Sequence, residues 1–235
     1  MTELEKQEIL EASKVYFRTR IAKNHRRNTA KAGSLSAFDV NPFLLRYLSK
    51  FAFGNTEPES LAKTLLYPRL LGTSISTSFG TNIQYFCKDV LSTYASTTSG
   101  IDLEFIDALD GRRKYCQLKA GPNTINKDDV ETIRGHFRSV RNLARTNGLP
   151  LQIDDCVVGV IYGTNDALNG FYQALDQEYP VYAGAVFWEH LTGDPSFYAD
   201  LIRAFEAVAD ETDSSALLQS TIERLAAEIA QSRIL

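Results

Sequence analysis

The sequence predicts an α/β fold, a mixed sheet flanked by helices with helical additions at both ends. Two observations predict it. The central order reads helix, strand, strand, helix, strand. The run CVVGVIYG from Cys156 to Gly163 is continuously apolar and rich in valine, as expected of a strand covered on both faces.

The elements follow in order. Leu4 to about Lys31 carries Ile9, Leu10, Val15, Phe17 and Ile21 at loosely helical spacing. After a turn at Ala32-Gly33, Asn41-Pro42 starts a helix over FLLRYLSKFAF that stops at Gly54, and Glu57-Pro58 opens another reaching Leu66. GTSISTSFGT, from Gly72, is rich in hydroxyls and glycine. NIQYFCKDVLSTYA, from Asn82 to Ala95, has helical spacing at Ile83, Phe86, Cys87, Val90 and Leu91. Two strands and an Asp110-Gly111 turn occupy Gly100 to Gly121. Asn126 caps a helix from Lys127, with Asp128, Asp129 and Glu131 in its first turn and Val130, Ile133, Phe137, Val140 and Ala144 along one face. Helices are expected at Asp166 to Glu178, Ala185 to Leu191, Phe197 to Val208 and Ala216 to Ile234, with a short strand or turn at Tyr179 to Tyr182.

A chain of 235 residues can bury a sizeable core. It reads as one domain, 1–235, with a helical part over 1–70, a central core over 71–165 and a helical C-terminal part over 166–235. The formal charge of -4 argues against coating nucleic acid through net charge alone. Its distribution is uneven. From Lys14 to Lys50 nine basic residues face the single acid Asp39, whereas beyond Asp176 the only basic residues are Arg203, Arg224 and Arg233. That asymmetry suits one polyanion-binding side. Cys87, Cys116 and Cys156 form no metal-type spacing and read as reduced packing residues of a cytoplasmic protein. The charged N-terminus is no secretory signal, and no apolar run approaches about 18 residues, so no membrane partner is expected.

The chemistry concentrates in the hairpin. If Asp110 and Gly111 are the central pair of a two-residue turn, Ile106 faces Tyr115, Glu104 faces Gln117 and Asp102 faces Lys119. Alternation then puts Asp102, Glu104, Ile106, Tyr115, Gln117 and Lys119 on one face. Hydrolysing a phosphodiester needs hard oxygen ligands for Mg²⁺ and a cation near the attacking water. Asp102, the Gln117 side-chain carbonyl and the Leu118 main-chain carbonyl supply oxygens, and Lys119 supplies the cation. Spacing alone leaves open a solvated edge ribbon.

Ile101-Asp102, then Gln117-Leu118-Lys119 about fifteen positions on, resembles the PD-(D/E)xK nuclease motif, with Ile for its proline and Gln for its second acid. TSFGTNIQYFCKDV, TTSGIDLEFID, YCQLKAGPNTINKDDV and VVGVIYG resemble the PmeII-type family of type II restriction endonucleases, a likeness running from about Asn41 to Tyr198. The resemblance implies a restriction-endonuclease-like core and a Mg²⁺-dependent homodimer that cuts double-stranded DNA at a short site. It gives Asp102, Gln117 and Lys119 the roles of first acid, second ligand and lysine, and the helical 1–70 part a place in DNA binding or dimerisation. A cognate DNA methyltransferase is expected in the same system, without direct contact. Because Gln117 is neutral, Glu104 is the candidate for the missing charge, directly or through water. A repair or structure-specific nuclease, or an inactive DNA-binding module, are the competing readings.

Candidate DNA contacts are Arg26 and Arg27 beside His25, then Asn123, Thr124, Asn126 and Lys127 after the second strand. Arg134 and Arg138 head a stripe continuing to Arg141 and Arg145, equally readable as a solvated helix face. His25, His136 and His190 are too scattered for a cluster, and His136 reads as a surface or packing residue.

Overall fold

The computed structural model describes residues 1–91, 96, 98–211 and 214–232. The chain forms two compact units, Met1–Lys14 with Ile83–Phe205 and Val15–Asn82 with Glu206–Leu235. The expected ends of two helices, Ser92 to Ala95 and Arg233 to Ile234, lie outside the described residues, as does Thr97 in the connection to the hairpin.

The first unit holds a four-stranded sheet in the order β1-β2-β3-β4, with β1 Leu103–Ile106, β2 Arg113–Lys119, β3 Cys156–Val160 and β4 Val181–Ala183. β1 and β2 are antiparallel, whereas β2, β3 and β4 run parallel. A parallel pair needs a crossover, and α6, Lys127–Thr146, supplies it between β2 and β3. Its start is fixed chemically: the Asn126 side chain accepts the Asp128 and Asp129 N–H groups at 2.8 and 3.1 Å, and Asp129 accepts the Asn126 N–H at 3.0 Å. Its expected apolar face is the buried one, with Ile133 and Phe137 fully covered against β3, β4 and α7, Gly170–Asp176. Each such side chain contributes roughly 1.5–3 kcal/mol through its burial.

The opposite sheet face is covered by the 83–90 part of α5, Ile75–Val90, and by α8, Ala185–Thr192, with Phe86, Phe187 and Trp188 almost wholly buried. Gly159 allows this packing, because a Cβ there would lie 2.4 Å from the Phe187 ring. Trp188 donates its indole N–H to the Ile161 carbonyl at 2.9 Å, satisfying the one polar atom of that ring. Cys87, Cys116 and Cys156 are free and buried, and burial pushes each thiol up, Cys156 to about 12, as suits packing rather than reactivity.

The hairpin register differs from the expected one. Glu104 pairs with Tyr115 and Ile106 with Arg113, a displacement of two residues. The cause lies in the loop. Asp107 donates its N–H to the Arg112 carbonyl at 2.9 Å and accepts the Gly111 N–H at 2.8 Å, so Ala108 to Gly111 form a longer loop with Gly111 at φ 72°. Asp110 is drawn back to Lys114 at 2.5 Å rather than sitting in a two-residue turn. An even displacement keeps every strand side chain on its face while changing its partner across the ladder.

The second unit is helical. α1, Glu3–Tyr16, belongs to the first unit up to Lys14 and continues through a π-helical turn at Phe17–Ala22 into α2, Lys23–Lys31, of the second. α3, Pro42–Phe53, begins on the Asn41 cap and ends at Gly54 with φ 75°, as its sequence predicts. α4, Pro58–Pro68, runs through a second π-helical turn at Arg69–Ser74 into α5. The hydroxyl-rich segment is thus helical, its polar side chains turned onto the helix itself: Thr81 donates to the Thr77 carbonyl at 2.9 Å and Asn82 to that of Ser78 at 2.8 Å. The C-terminal helix, Ser215–Gln231, packs Ile222, Leu225 and Ile229 against Leu45, Leu61, Leu66 and Leu70. One side of α3 is uncovered: Phe43 is 86 % exposed, Tyr47 64 % and Phe51 78 %. Among the described residues no helix is long and apolar enough to cross a membrane.

Candidate active site

Asp102, Gln117, Leu118 and Lys119 meet where β1 begins and β2 ends. The Asp102 N–H donates to the Cys116 carbonyl at 3.0 Å, and its carboxylate Oδ2 accepts the Leu118 N–H at 2.7 Å. Side-chain and main-chain bonds from one residue therefore hold the carboxylate against the far end of β2. The Leu118 N–H and carbonyl leave the strand on the same edge, toward Asp102, whereas the Lys119 carbonyl turns to β3 and accepts the Ile161 N–H at 3.0 Å. The main-chain oxygen expected to serve as a ligand lies on the carboxylate's side.

Burial pushes the Asp102 carboxyl above its ordinary range, although the Leu118 N–H, the Lys119 charge and the Gln84 side chain favour the ionised form. Lys119 lies 3.6 Å from Asp129, so the ammonium is held by the residue that closes the α6 cap. Gln117 is buried, with its amide nitrogen at 2.6 Å from Nδ1 of His136 and in contact with the Gly100 carbonyl. Gln84, Asp129 and His136 were not singled out as site residues from the sequence. His136 lies one position before buried Phe137, so the helical period alone marks it as a border residue.

Among the described residues no three His, Cys, Asp or Glu side chains are grouped to hold a metal ion. The oxygens present are one carboxylate, one amide and one main-chain carbonyl. All are hard donors suited to a divalent cation, and a partly buried carboxylate is stabilised by one. The chemistry of these donors fits a divalent cation.

Glu104 takes a different position from the expected one. It lies opposite Tyr115, accepts from Ser96 at 2.7 Å through Oε1 and pairs with Arg113 at 3.3 Å through Oε2. After β2, Thr124 donates to the Gly121 carbonyl at 2.8 Å and Asn126 is occupied by the α6 cap, while Asn123 and Lys127 are exposed. On α6 the arginines separate. Arg134 pairs with Glu178 and, at 2.7 Å, with Glu131, whereas Arg138, Arg141 and Arg145 line an open depression with Leu149 and Leu151. In the second unit Arg26 donates to Ser214 at 2.8 Å, His25 contacts the Leu70 carbonyl at 2.9 Å and Arg27 is exposed.

A search of curated proteins found no match. The family model described as type II restriction endonuclease EcoO109I matches residues 12–213. That segment contains every motif behind the PmeII-type resemblance, but the family shown is the EcoO109I one. A mixed four-stranded sheet flanked by helices agrees with a restriction-endonuclease-like fold. With most of its length inside that match, the chain belongs to the EcoO109I family of type II restriction endonucleases and is a site-specific deoxyribonuclease whose partner is DNA.

Proposed function

We propose that the protein cuts double-stranded DNA at a short specific sequence by Mg²⁺-dependent hydrolysis, with Asp102, Gln117 and Lys119 as a PD-(D/E)xK-type centre. The observation that carries this reading is the Asp102–Leu118 contact, which brings a carboxylate, a main-chain carbonyl and the neighbouring lysine to one strand end. Asp102 and the oxygens of Gln117 and Leu118 would hold Mg²⁺, which supplies Lewis-acid stabilisation of phosphate charge when bound. Lys119 orients the attacking water and stabilises the charge that grows on phosphate, while Asp129 holds its ammonium in place. Glu104 acts through water, because both its oxygens already have partners in Ser96 and Arg113. The finer kinship with PmeII-type enzymes rests on the motifs between Thr77 and Gly163.

For DNA contacts, Arg138 leads the α6 set, with Asn123 and Lys127 exposed beside the site. Arg26 and Arg27 follow phosphate from the basic N-terminal segment. Asn126 and Thr124 shape the loop and reach DNA only through atoms left over from their internal bonds, and Arg134 must share its guanidinium with Glu178. Two-fold DNA sites are met by a homodimer, each subunit cutting one strand. The exposed aromatic side of α3 supports self-association: at about 200 Å² per aromatic side chain, scaled by their exposures, it offers roughly 450 Å² of apolar surface, a patch of the size that often marks an interaction site. A cutter of short sites endangers its own host's DNA, so a cognate methyltransferase belongs to the same cytoplasmic system without touching this chain.

Incubating the purified protein with plasmid DNA and Mg²⁺ tests the reading. Discrete fragments are expected. Random or junction-dependent cutting points instead to a repair-type nuclease, and binding without cleavage to an inactive module.

A further inference from the structure

Gln117 differs from the acid that the nuclease motif places there, and its surroundings explain why an amide is required. The Gly100 carbonyl is an acceptor only, so the end of the side chain that touches it must be the NH₂ group. The same nitrogen meets Nδ1 of His136 at 2.6 Å. With both amide hydrogens directed to these acceptors, Nδ1 of His136 carries the lone pair and Nε2 the proton. A carboxylate at position 117 would set oxygen against the Gly100 carbonyl, acceptor against acceptor.

His136 is itself clamped. Gly100 has φ 83°, and a Cβ on it would lie 2.3 Å from the imidazole ring. Glycine thus permits the ring to lie flat against the backbone that leads into β1. On α6, His136 is half-buried at the border of the buried stripe that contains Ile133 and Phe137. The close approach to Gly100 and the bond to Gln117 fix where the imidazole lies.

We propose that His136 is a positioning residue that sets the rotation of the Gln117 amide, keeping its nitrogen inward and presenting Oε1 as the metal-ligand end. This rests on the reading of Gln117 as a ligand. It deepens that reading by assigning to His136 and Gly100 the supporting role that hydrogen-bonded neighbours play for metal ligands, where their loss typically costs about 10–100-fold in metal affinity or activity.

Two variants separate positioning from packing. His136→Asn keeps an acceptor close to the place of Nδ1 but loses ring volume, and His136→Phe keeps the volume but has no acceptor. Mg²⁺ binding to the DNA-free enzyme is measured by calorimetry, and the Mg²⁺ concentration for half-maximal cleavage of plasmid DNA is measured alongside. The proposal predicts Mg²⁺ affinity lower by roughly 10-fold or more in His136→Phe, near wild type in His136→Asn, and unchanged metal-free DNA binding in both. Wild-type Mg²⁺ affinity in His136→Phe, or equal loss in both variants, overturns it. If the wild-type enzyme cleaves without any divalent ion, the metal reading of Gln117 fails first, and the proposal with it. If cleavage is Mg²⁺-dependent yet indifferent to His136→Phe, only the positioning role fails.

Discussion

The carboxylate of Asp102 accepts the main-chain N–H of Leu118 at 2.7 Å, joining the start of one strand to the end of its neighbour. This bond joins residues sixteen positions apart that belong to the proposed site. Asp102→Asn retains an oxygen to accept from Leu118 but removes the charge. It should leave the melting temperature near wild type and lower plasmid cleavage by about 100-fold or more, the scale of losing one electrostatic contributor. A loss of cleavage that followed only from unfolding would show in the melt.

Glu104 is buried and divided between Ser96 and Arg113. Glu104→Gln preserves its size and the bond from Ser96 while deleting one negative charge beside the centre. The expected result is a higher Mg²⁺ concentration for half-maximal cleavage with little change at saturating metal. An unaltered Mg²⁺ profile would remove Glu104 from the metal's surroundings.

The α6 arginines divide into two classes. Arg145 lies sixteen residues beyond Asp129, about 24 Å along the helix, so Arg138, Arg141 and Arg145 could follow DNA over several base pairs from the cleavage centre. Removing any one should weaken binding to all sequences and reduce the slope of log affinity against log salt by about 1. Arg134→Ala breaks the ion pairs with Glu178 and Glu131, and its effect should appear in stability more than in that slope. Measuring affinity at several salt concentrations distinguishes the classes, and equal slopes for Arg138→Ala and wild type would place the stripe outside the DNA interface.

Phe51 stands 78 % exposed on the uncovered side of α3. If this side joins two copies, Phe51→Glu should convert the dimer to monomer in analytical ultracentrifugation while leaving the fold intact. A dimer of undiminished stability would move the interface elsewhere.

Lys6 pairs with Asp194 at 2.8 Å and also with Asp200, and its ammonium draws the Asp194 carboxyl down to about 2. Because the folded value lies below the unfolded value of about 3.9, the pair stabilises the fold above that range and the contribution disappears as pH falls toward 2. Lys6→Met should therefore melt earlier than wild type at pH 6, with the difference shrinking through pH 4 to 2. A difference constant with pH would assign the effect to packing.

Much of this was legible in the sequence for physical reasons. The α6 cap at Asn126 and the stop of α3 at Gly54 depend on neighbours a few residues away, and local chemistry decides them. The face shared by Glu104, Tyr115 and Gln117 follows from alternation alone. The hairpin partners did not, because the loop length depends on Asp110 being drawn to Lys114, a buried lysine whose other partners include Asp155 far along the chain. The GTSISTSFGT segment shows only a wealth of hydroxyls and glycine in the sequence, and its helix rests on side chains bonding back to their own turns. His136 was passed over because only the crossover of α6 brings it to Gln117, and no local spacing marks that meeting.

If the end of this hairpin cleaves DNA, the reaction depends on Lys119, and Mg²⁺-dependent digestion of plasmid DNA by wild type and Lys119→Ala at matched DNA binding decides the matter. Discrete fragments are expected from wild type and none from Lys119→Ala, with DNA affinity largely retained. Cutting by Lys119→Ala at the wild-type rate would place the reaction elsewhere in the molecule.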